Sequence, residues 1–304
     1  MTHESGIAII HWLQQFRSPL LDNFFIMLTH TGKGYVYLFV VCLLFWVFDR
    51  RWGFRFMVVF FLSYWLNSMA KDIFMQPRPF AIEPGVGIVK SGGPGMPSSH
   101  AQGALVLWSM LSVYVRRRWF YCIAGFMIIG VALSRVYLGV HFPADILGGW
   151  LLGGAVLGMY LMWTKFYRAT GHSDILVMRA ALVLVLAAAL LFASNYWRTY
   201  PLGLIAGALA GCMLPQGKPE RVSATAQAEW WKPVLRMLTG FPVLLLLVWG
   251  TRTLSSLAGQ GTMELAVVFA GFTLCGLWIS AGAFWLFKIV KIRPGIRQTS
   301  FKTD

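Results

Sequence analysis

The chain has 304 residues, of which 58% are hydrophobic and 12% are charged, with a formal net charge of +15. Soluble globular domains are about 45–50% apolar and about 25% charged, so this composition excludes an ordinary soluble protein and indicates an integral membrane protein. Because the 26 basic residues are spread over short segments between apolar stretches, we attribute the charge to membrane topology and to anionic lipid headgroups. We therefore expect a lipid bilayer, and no nucleic acid, as a partner.

The first element is the stretch 6–29, "GIAIIHWLQQFRSPLLDNFFIMLT", which is too polar in its middle to cross a bilayer. Its apolar residues recur at helical spacing and are interrupted near Pro19. Two interpretations fit this pattern: an amphipathic helix in the outer membrane interface, or a helix packed on the rest of the protein. Residues 1–33 are predicted to form a separate N-terminal segment.

The remainder predicts an all-α, polytopic transmembrane bundle of about nine spans, since a spanning helix needs about 20 mostly apolar residues. The predicted spans are roughly 34–49, 53–72, 99–115, 119–136, 144–164, 177–195, 199–215, 234–250 and 264–287. The seventh, 199–215, is short and contains several glycines and a proline, so a re-entrant segment is the alternative for it.

The basic residues predict the orientation. If the first residue lies outside, most of the lysines and arginines fall in cytoplasmic loops and in the C-terminal tail, as the positive-inside rule requires. The loop over 71–100 and the loop around 134–145 then both face outside. We expect an integral membrane protein, in a bacterial plasma membrane with these loops on the outer face, or on the lumenal face of an organelle.

Six ionisable residues occupy these two outer loops: Lys71, Arg78, His100, Arg135, His141 and Asp145. Ionisable groups at membrane depth are costly and mark candidate functional sites. Each alone has a structural explanation, such as an arginine that snorkels or an aspartate that caps a helix. Six on one predicted side are harder to explain in that way.

The residue types point to phosphate chemistry. Three basic side chains can converge on one anion, and the N-terminus of the third span, capped by Ser98, offers free amides to a phosphate. His141 and Asp145 are four residues apart, so Asp145 can orient the imidazole and leave its other nitrogen free to attack. His100 is then available to protonate a leaving group and later to activate water.

Three stretches carry a family resemblance: "KDIFMQPRP" (71–79), "PSSH" (97–100) and "SRVYLGVHFPAD" (134–145). In order and spacing they resemble the signature motifs of the type 2 phosphatidic acid phosphatase (PAP2) superfamily. The resemblance covers roughly residues 5–165. It implies a PAP2-type catalytic core over 34–165, within the first five to six spans, while residues 166–304 would add transmembrane helices of unknown role.

The resemblance also implies a role for each motif residue. His141 would be the nucleophile that forms a phosphohistidine, Asp145 its orienting partner and His100 the general acid and base. The phosphoryl oxygens would be held by Lys71, Arg78, Arg135, Ser98 and Ser99. The family often has glycine where this chain has Ser99, and a positive φ there would strain a serine.

No metal and no other cofactor is expected, because three cations and helix amides already meet the charge of a phosphoryl transition state. The sequence also lacks a carboxylate cluster of the kind that holds magnesium.

The expected function is a metal-independent membrane phosphatase that acts on a phosphomonoester or pyrophosphate of a lipid. Candidate substrates are phosphatidate, phosphatidylglycerophosphate, a polyprenyl pyrophosphate and a sphingoid-base phosphate. The alternatives are a lipid phosphotransferase, a sugar-phosphate phosphatase of the glucose-6-phosphatase type, and a non-catalytic transporter or scaffold.

Overall fold

The computed structural model describes residues 3–170, 174–214 and 231–292, and within these ranges the protein contains helices and no strands. The helices are α1 His3–Gln14, α2 Pro19–His30, α3 Gly34–Leu43, α4 Arg50–Phe74, α5 Pro79–Ile82, α6 Ser99–Val115, α7 Arg118–Tyr137, α8 Pro143–Thr170, α9 Asp174–Phe192, α10 Tyr196–Met213, α11 Trp231–Leu257, α12 Thr262–Leu277 and α13 Ala283–Ile289. Leu44–Phe48 and Trp278–Gly282 are π-helical turns, and Pro84–Val86 is a single 3₁₀ turn. The predicted all-α class is confirmed.

The chain forms two compact units. One consists of Met1–Leu38 and Phe56–His172, and the other of Phe39–Arg55 and Ser173–Asp304. All three motif stretches lie in the first unit, so this unit holds the whole candidate site. The predicted division into an N-terminal segment (1–33), a catalytic core (34–165) and additional helices (166–304) stays a prediction.

Each of the nine predicted spans coincides with helix, but not every helix has the length and apolar character of a span. Over the described residues, four helices have both: Arg118–Tyr137, Pro143–Lys165, Trp231–Leu257 and Thr262–Ile289. A fifth span is possible if Pro19–His30 and Gly34–Phe48, which meet at 51°, cross together. The protein is therefore an integral membrane protein, and the count of nine spans stays a prediction.

The N-terminal segment packs on the first unit, as the second of the two interpretations predicts. Ser18 caps α2 through a hydrogen bond from the Leu21 amide, and Pro19 occupies the first turn, which explains the interruption there. Ile10 of α1 is buried in a cluster that includes Phe142, whereas Phe25 and Leu28 of α2 are buried in a second cluster. Both helices thus contribute to the core beside the motif residues.

In the second unit, α10 is the most deeply buried helix. Its glycines at 203, 207 and 211 repeat every four residues, which allows close packing between helix backbones. A Cβ atom on Gly203 would lie 2.7 Å from the Phe269 carbonyl oxygen of α12, and one on Gly207 would overlap the Thr273 carbonyl oxygen. The glycines that made 199–215 a weak predicted span are the residues that let α10 and α12 approach.

Candidate functional site

His141 lies in the tight connection between α7 and α8. Gly139 adopts a positive φ of 67°, which reverses the chain after α7, and Pro143 begins α8. The carbonyl oxygen of Arg135 accepts hydrogen bonds from the amides of Val140 and His141, both at 3.2 Å. The backbone around His141 is therefore fixed to the last turn of α7, and the histidine itself is only 1% exposed.

The two nitrogens of the His141 imidazole have different partners. Nδ1 lies 3.2 Å from Oδ2 of Asp145, and Nε2 lies 3.1 Å from Nη1 of Arg78. Oδ2 of Asp145 also accepts a hydrogen bond of 2.9 Å from the Phe142 amide, so the carboxylate is held at the start of α8. Because an arginine N–H is always a donor, Nε2 must present its lone pair and Nδ1 must carry the proton.

Arg78 is buried in a ring of carbonyl oxygens. Its Nε donates to Gly93 at 2.8 Å, its Nη2 to Gly92 at 2.8 Å and its Nη1 to Val140 at 2.9 Å. Lys71 binds the same loop, because its Nζ donates to the carbonyl oxygens of Pro94 at 2.7 Å and Gly95 at 3.2 Å. The glycine-rich loop after α5 thus holds two cations beside the histidine.

Arg135 is the third cation and is only 4% exposed. Its Nη1 donates to the Thr29 hydroxyl at 2.7 Å, and its Nε is buried with no hydrogen-bond partner in the part of the chain that the structure describes. Over the described residues, none of Lys71, Arg78 and Arg135 forms an ion pair with a carboxylate. The site therefore carries uncompensated positive charge.

The "PSSH" stretch forms the start of α6. The Ser98 amide donates to the Asp145 carbonyl oxygen at 2.9 Å, and the Ser98 side chain caps the helix by accepting from the Ala101 amide. Ser99 is the first residue of α6 and has no positive φ, so this backbone does not require glycine. The expected strain at this position is absent.

His100 lies in the first turn of α6, where its ring is close to Gly32; a Cβ atom on Gly32 would lie 2.7 Å from the His100 Cδ2. His100 is also near enough to His141 to act on it electrostatically. The structure thus brings every predicted site residue into one region. Hydrogen bonds link His141 to Arg78, to Asp145 and to the Arg135 carbonyl oxygen, and they link the Ser98 amide to the Asp145 carbonyl oxygen. Lys71 binds the same loop as Arg78, and Ser99 and His100 form the start of α6.

Burial lowers the pKa of His141 well below the ordinary value of 6.5, and the positive charges of Arg135, Arg78 and Lys71 lower it further. Burial likewise lowers the pKa of Arg78, partly offset by Asp145. His141 is therefore neutral at pH 7, which is the form in which Nε2 is a nucleophile.

Several residues that support this site lie outside the predicted set. Thr29 holds Arg135, and the Gln14 amide donates to the carbonyl oxygens of Val86 at 2.9 Å and Tyr137 at 2.8 Å. Asn67 and Gln102 form a buried pair at 2.6 Å, and Asn67 also donates to the Pro97 carbonyl at 3.3 Å. Asn67 and Gln102 were detectable, because polar side chains inside predicted spans mark functional positions. Thr29 and Gln14 carry no such signal.

A cavity of about 340 Å³ opens beside Arg78. It is lined by Met75, Gln76, Pro77, Arg78, Phe80, Ala81, Ser91, Gly93 and Pro94. Apolar and polar groups share this wall, so the cavity can hold a part of a ligand that adjoins a bound phosphate.

Two family models match the chain. Residues 52–169 match the PAP2 superfamily, and residues 199–295 match the "PAP2 superfamily phosphatase, transmembrane extension". The first match contains all three motif stretches, and the second covers much of the chain that the motifs leave out.

Individual proteins are also similar. Glucose-6-phosphatase 3 of Mus musculus is 30% identical over 67% of this chain and 63% of its own length. Phosphatidylglycerophosphatase B of Bacillus subtilis (strain 168) is 28% identical over 45% of this chain and 72% of its own length. The crystal structure of Aquifex aeolicus LpxE aligns with a TM-score of 0.47 and 26% identity, covering 51% of this chain and 93% of that one.

Proposed function

Because the chain belongs to the PAP2 superfamily, we propose that it is a membrane phosphatase that hydrolyses a phosphomonoester or pyrophosphate of a lipid. The reaction proceeds through a phosphohistidine on His141 and uses no metal ion. The catalytic residues are His141, His100 and Asp145, and the phosphoryl group is held by Lys71, Arg78, Arg135 and the helix start at Ser98 and Ser99.

One observation carries this proposal: three cations that form no ion pair with a carboxylate among the described residues surround a neutral histidine whose Nε2 presents a lone pair. Buried or half-buried charges without a counter-ion are destabilising. A phosphate dianion supplies the missing negative charge and places phosphorus next to the nucleophile. The oxygens of the phosphate compete with Nε2 for the N–H of Arg78, which frees the lone pair to attack.

The proposed reaction has two chemical steps. Nε2 of His141 attacks phosphorus, the N–P bond forms and the P–O bond to the leaving group breaks, while His100, in its protonated form, donates a proton to the departing oxygen and becomes neutral. Asp145 stabilises the positive charge that develops on the imidazole. His100 then removes a proton from water, whose oxygen attacks phosphorus and breaks the N–P bond, so inorganic phosphate leaves and both histidines are restored.

A lipid substrate is supported by the membrane location and by the similarity to phosphatidylglycerophosphatase B of Bacillus subtilis. The positive-inside distribution supports an active site on the outer face of the membrane. A sugar phosphate is the second candidate, because the similarity to glucose-6-phosphatase 3 of Mus musculus extends over 67% of the chain. The chain spans only 63% of that relative.

The test is phosphate release by the detergent-purified protein in EDTA. The panel contains phosphatidate, phosphatidylglycerophosphate, a polyprenyl pyrophosphate, a sphingoid-base phosphate and glucose 6-phosphate. We expect EDTA-resistant release from at least one lipid, lost in His141→Ala and retained in His11→Ala, since His11 is exposed and pairs only with exposed Glu83.

Each other result has a distinct meaning. Release that persists in His141→Ala, or that requires a metal, rules out the phosphohistidine. Product that forms only with an added acceptor hydroxyl identifies a phosphotransferase. Phosphate binding without turnover of any substrate identifies a non-catalytic protein.

A further inference from the structure

Arg135 is held by a residue far away in the sequence. Its Nη1 donates to the hydroxyl of Thr29, at 2.7 Å, and both residues are 4% exposed. Thr29 lies in the last turn of α2, 106 positions before Arg135 and outside the part of the chain that matches the PAP2 superfamily model. The contact therefore joins the N-terminal segment to the candidate site.

The chemistry of the partner is informative. A buried guanidinium is usually paired with a carboxylate, because an unpaired buried charge is strongly destabilising. A carboxylate, however, would neutralise the cation and compete with a phosphate. A threonine hydroxyl accepts one hydrogen bond and fixes the direction of the side chain while leaving its charge available. The buried Nε of Arg135 has no hydrogen-bond partner among residues 3–170, 174–214 and 231–292, and is a donor still to be satisfied.

The backbone of Arg135 is fixed to that of His141. The Arg135 carbonyl oxygen accepts from the His141 amide at 3.2 Å, so the two residues share a rigid backbone connection. With the backbone held there and the guanidinium held by Thr29, the side chain has little freedom to point elsewhere.

We propose that Thr29 is a positioning residue, which holds the Arg135 guanidinium in the direction that meets the phosphoryl group bound at His141. This inference rests on the proposed function, because it gives Arg135 a phosphate ligand. It gives α2 an indirect part in phosphate binding, through Arg135, in addition to its packing on α7.

The test measures the affinity of the detergent-purified protein for inorganic phosphate by calorimetry. Thr29→Val keeps the shape of the side chain but removes the acceptor, and we expect it to weaken phosphate binding about ten-fold. Thr29→Ser keeps the hydroxyl and should restore most of the affinity. Thr31→Val is the matched control and should leave binding unchanged, since the hydroxyl of Thr31, the residue just after α2, donates to the Leu28 carbonyl oxygen of that helix and not to the candidate site.

A double-mutant cycle separates positioning from a general structural effect. In an Arg135→Ala background, Thr29→Val should weaken phosphate binding no further, because its only route to the ligand has been removed. Equal losses in the two backgrounds, or unchanged binding in Thr29→Val, would overturn the inference. If Thr29→Val melts below the assay temperature, Thr29→Ala makes the same comparison with a smaller side chain.

The result also separates this inference from the proposed function. Failure of the wild-type protein to bind phosphate contradicts both the proposed site and the role of Thr29. Binding by the wild type that depends on Arg135 but not on the Thr29 hydroxyl contradicts the role of Thr29 alone.

Discussion

Nη1 of Arg78 lies 3.1 Å from Nε2 of His141, on the opposite side of the imidazole from Asp145. This arrangement fixes a single tautomer, because the arginine requires a lone pair on Nε2 and the carboxylate requires a proton on Nδ1. The side chain that we propose to bind phosphate therefore also holds the proposed nucleophilic nitrogen in the tautomer that has a lone pair. A bound phosphate oxygen would replace Nε2 as the acceptor.

The carboxylate of Asp145 is predicted to act through charge and orientation. Asp145→Asn keeps an oxygen for the Phe142 amide but loses the charge that stabilises a positively charged His141. We expect kcat to fall about 10²- to 10⁴-fold with little change in KM, measured as phosphate release.

The matched control for Asp145→Asn is Asp49→Asn, since Asp49 also caps a helix through backbone amides, those of Arg51 and Trp52, and lies outside the site. Asp49→Asn should keep its activity. Wild-type turnover in Asp145→Asn would contradict the assigned role.

The pH dependence should reveal the depressed pKa of His141. Protonation of Nε2 abolishes its nucleophilicity, so kcat/KM should fall with decreasing pH only below 6.5. Arg78 is one of the cations that lower this pKa. Its removal in Arg78→Met should therefore raise the pKa of His141 and move the acidic limb of the kcat/KM profile, where activity falls at low pH, to higher pH.

Arg78→Lys keeps the charge, so its acidic limb should stay nearer to that of the wild type, even though both Arg78 variants lose activity. Arg116→Met, at the far end of α6, is the control for loss of an arginine and should leave the limb unchanged. A limb that stays fixed in Arg78→Met, or that moves to lower pH, would show that Arg78 does not set the titration of the nucleophile.

Gln14 is predicted to stabilise the protein and support activity together. The Gln14 side-chain amide donates to the carbonyl oxygen of Val86, before the glycine-rich loop, and to that of Tyr137, at the end of α7. Gln14→Leu leaves both oxygens without this donor. We expect the free energy of unfolding to fall by about 1–3 kcal/mol, seen as a lower melting temperature in detergent. Gln15→Leu, at an exposed neighbouring position, should melt like the wild type. Equal melting of the two variants would mean that the bridge does not stabilise the fold.

Gly139 is predicted to be irreplaceable. Its φ of 67° is unfavourable for other residues, and an added Cβ would overlap the Val86 carbonyl oxygen. Gly139→Ala should lower the free energy of unfolding by about 2 kcal/mol or more and displace His141, so that phosphate release is lost. Gly154→Ala, in open space on α8, should retain both stability and activity. An active, stable Gly139→Ala protein would show that the turn tolerates a side chain.

Much of the arrangement follows from local sequence. The helices coincide with the predicted apolar stretches because backbone groups in a membrane must be hydrogen-bonded within the segment, which makes a long apolar stretch helical. The connection between His141 and Asp145 is equally local, since Asp145 lies in the first turn of α8 and His141 lies just before that helix, four residues earlier in the chain. These features need no knowledge of the rest of the chain.

Other features depend on residues that are distant in sequence. The seventh predicted span looked weak because its glycines lower helix propensity, yet they allow α10 to approach α12 closely. The sequence shows Asn67 and Gln102 as two separate polar residues inside predicted spans. It does not show that they form a hydrogen-bonded pair, or that Asn67 also donates to the Pro97 carbonyl oxygen.

The sequence by itself determined the membrane class, the helical positions and the residues of the three motifs, because composition, apolar length and motif spacing are local properties. Only the tertiary structure decided that Thr29 holds Arg135, that Gln14 bridges Val86 and Tyr137, and that Arg78 binds the Nε2 of His141. Each of these contacts joins residues 63 or more positions apart. A threonine or glutamine on an amphipathic helix has no distinctive pattern until packing brings its partner within hydrogen-bonding distance.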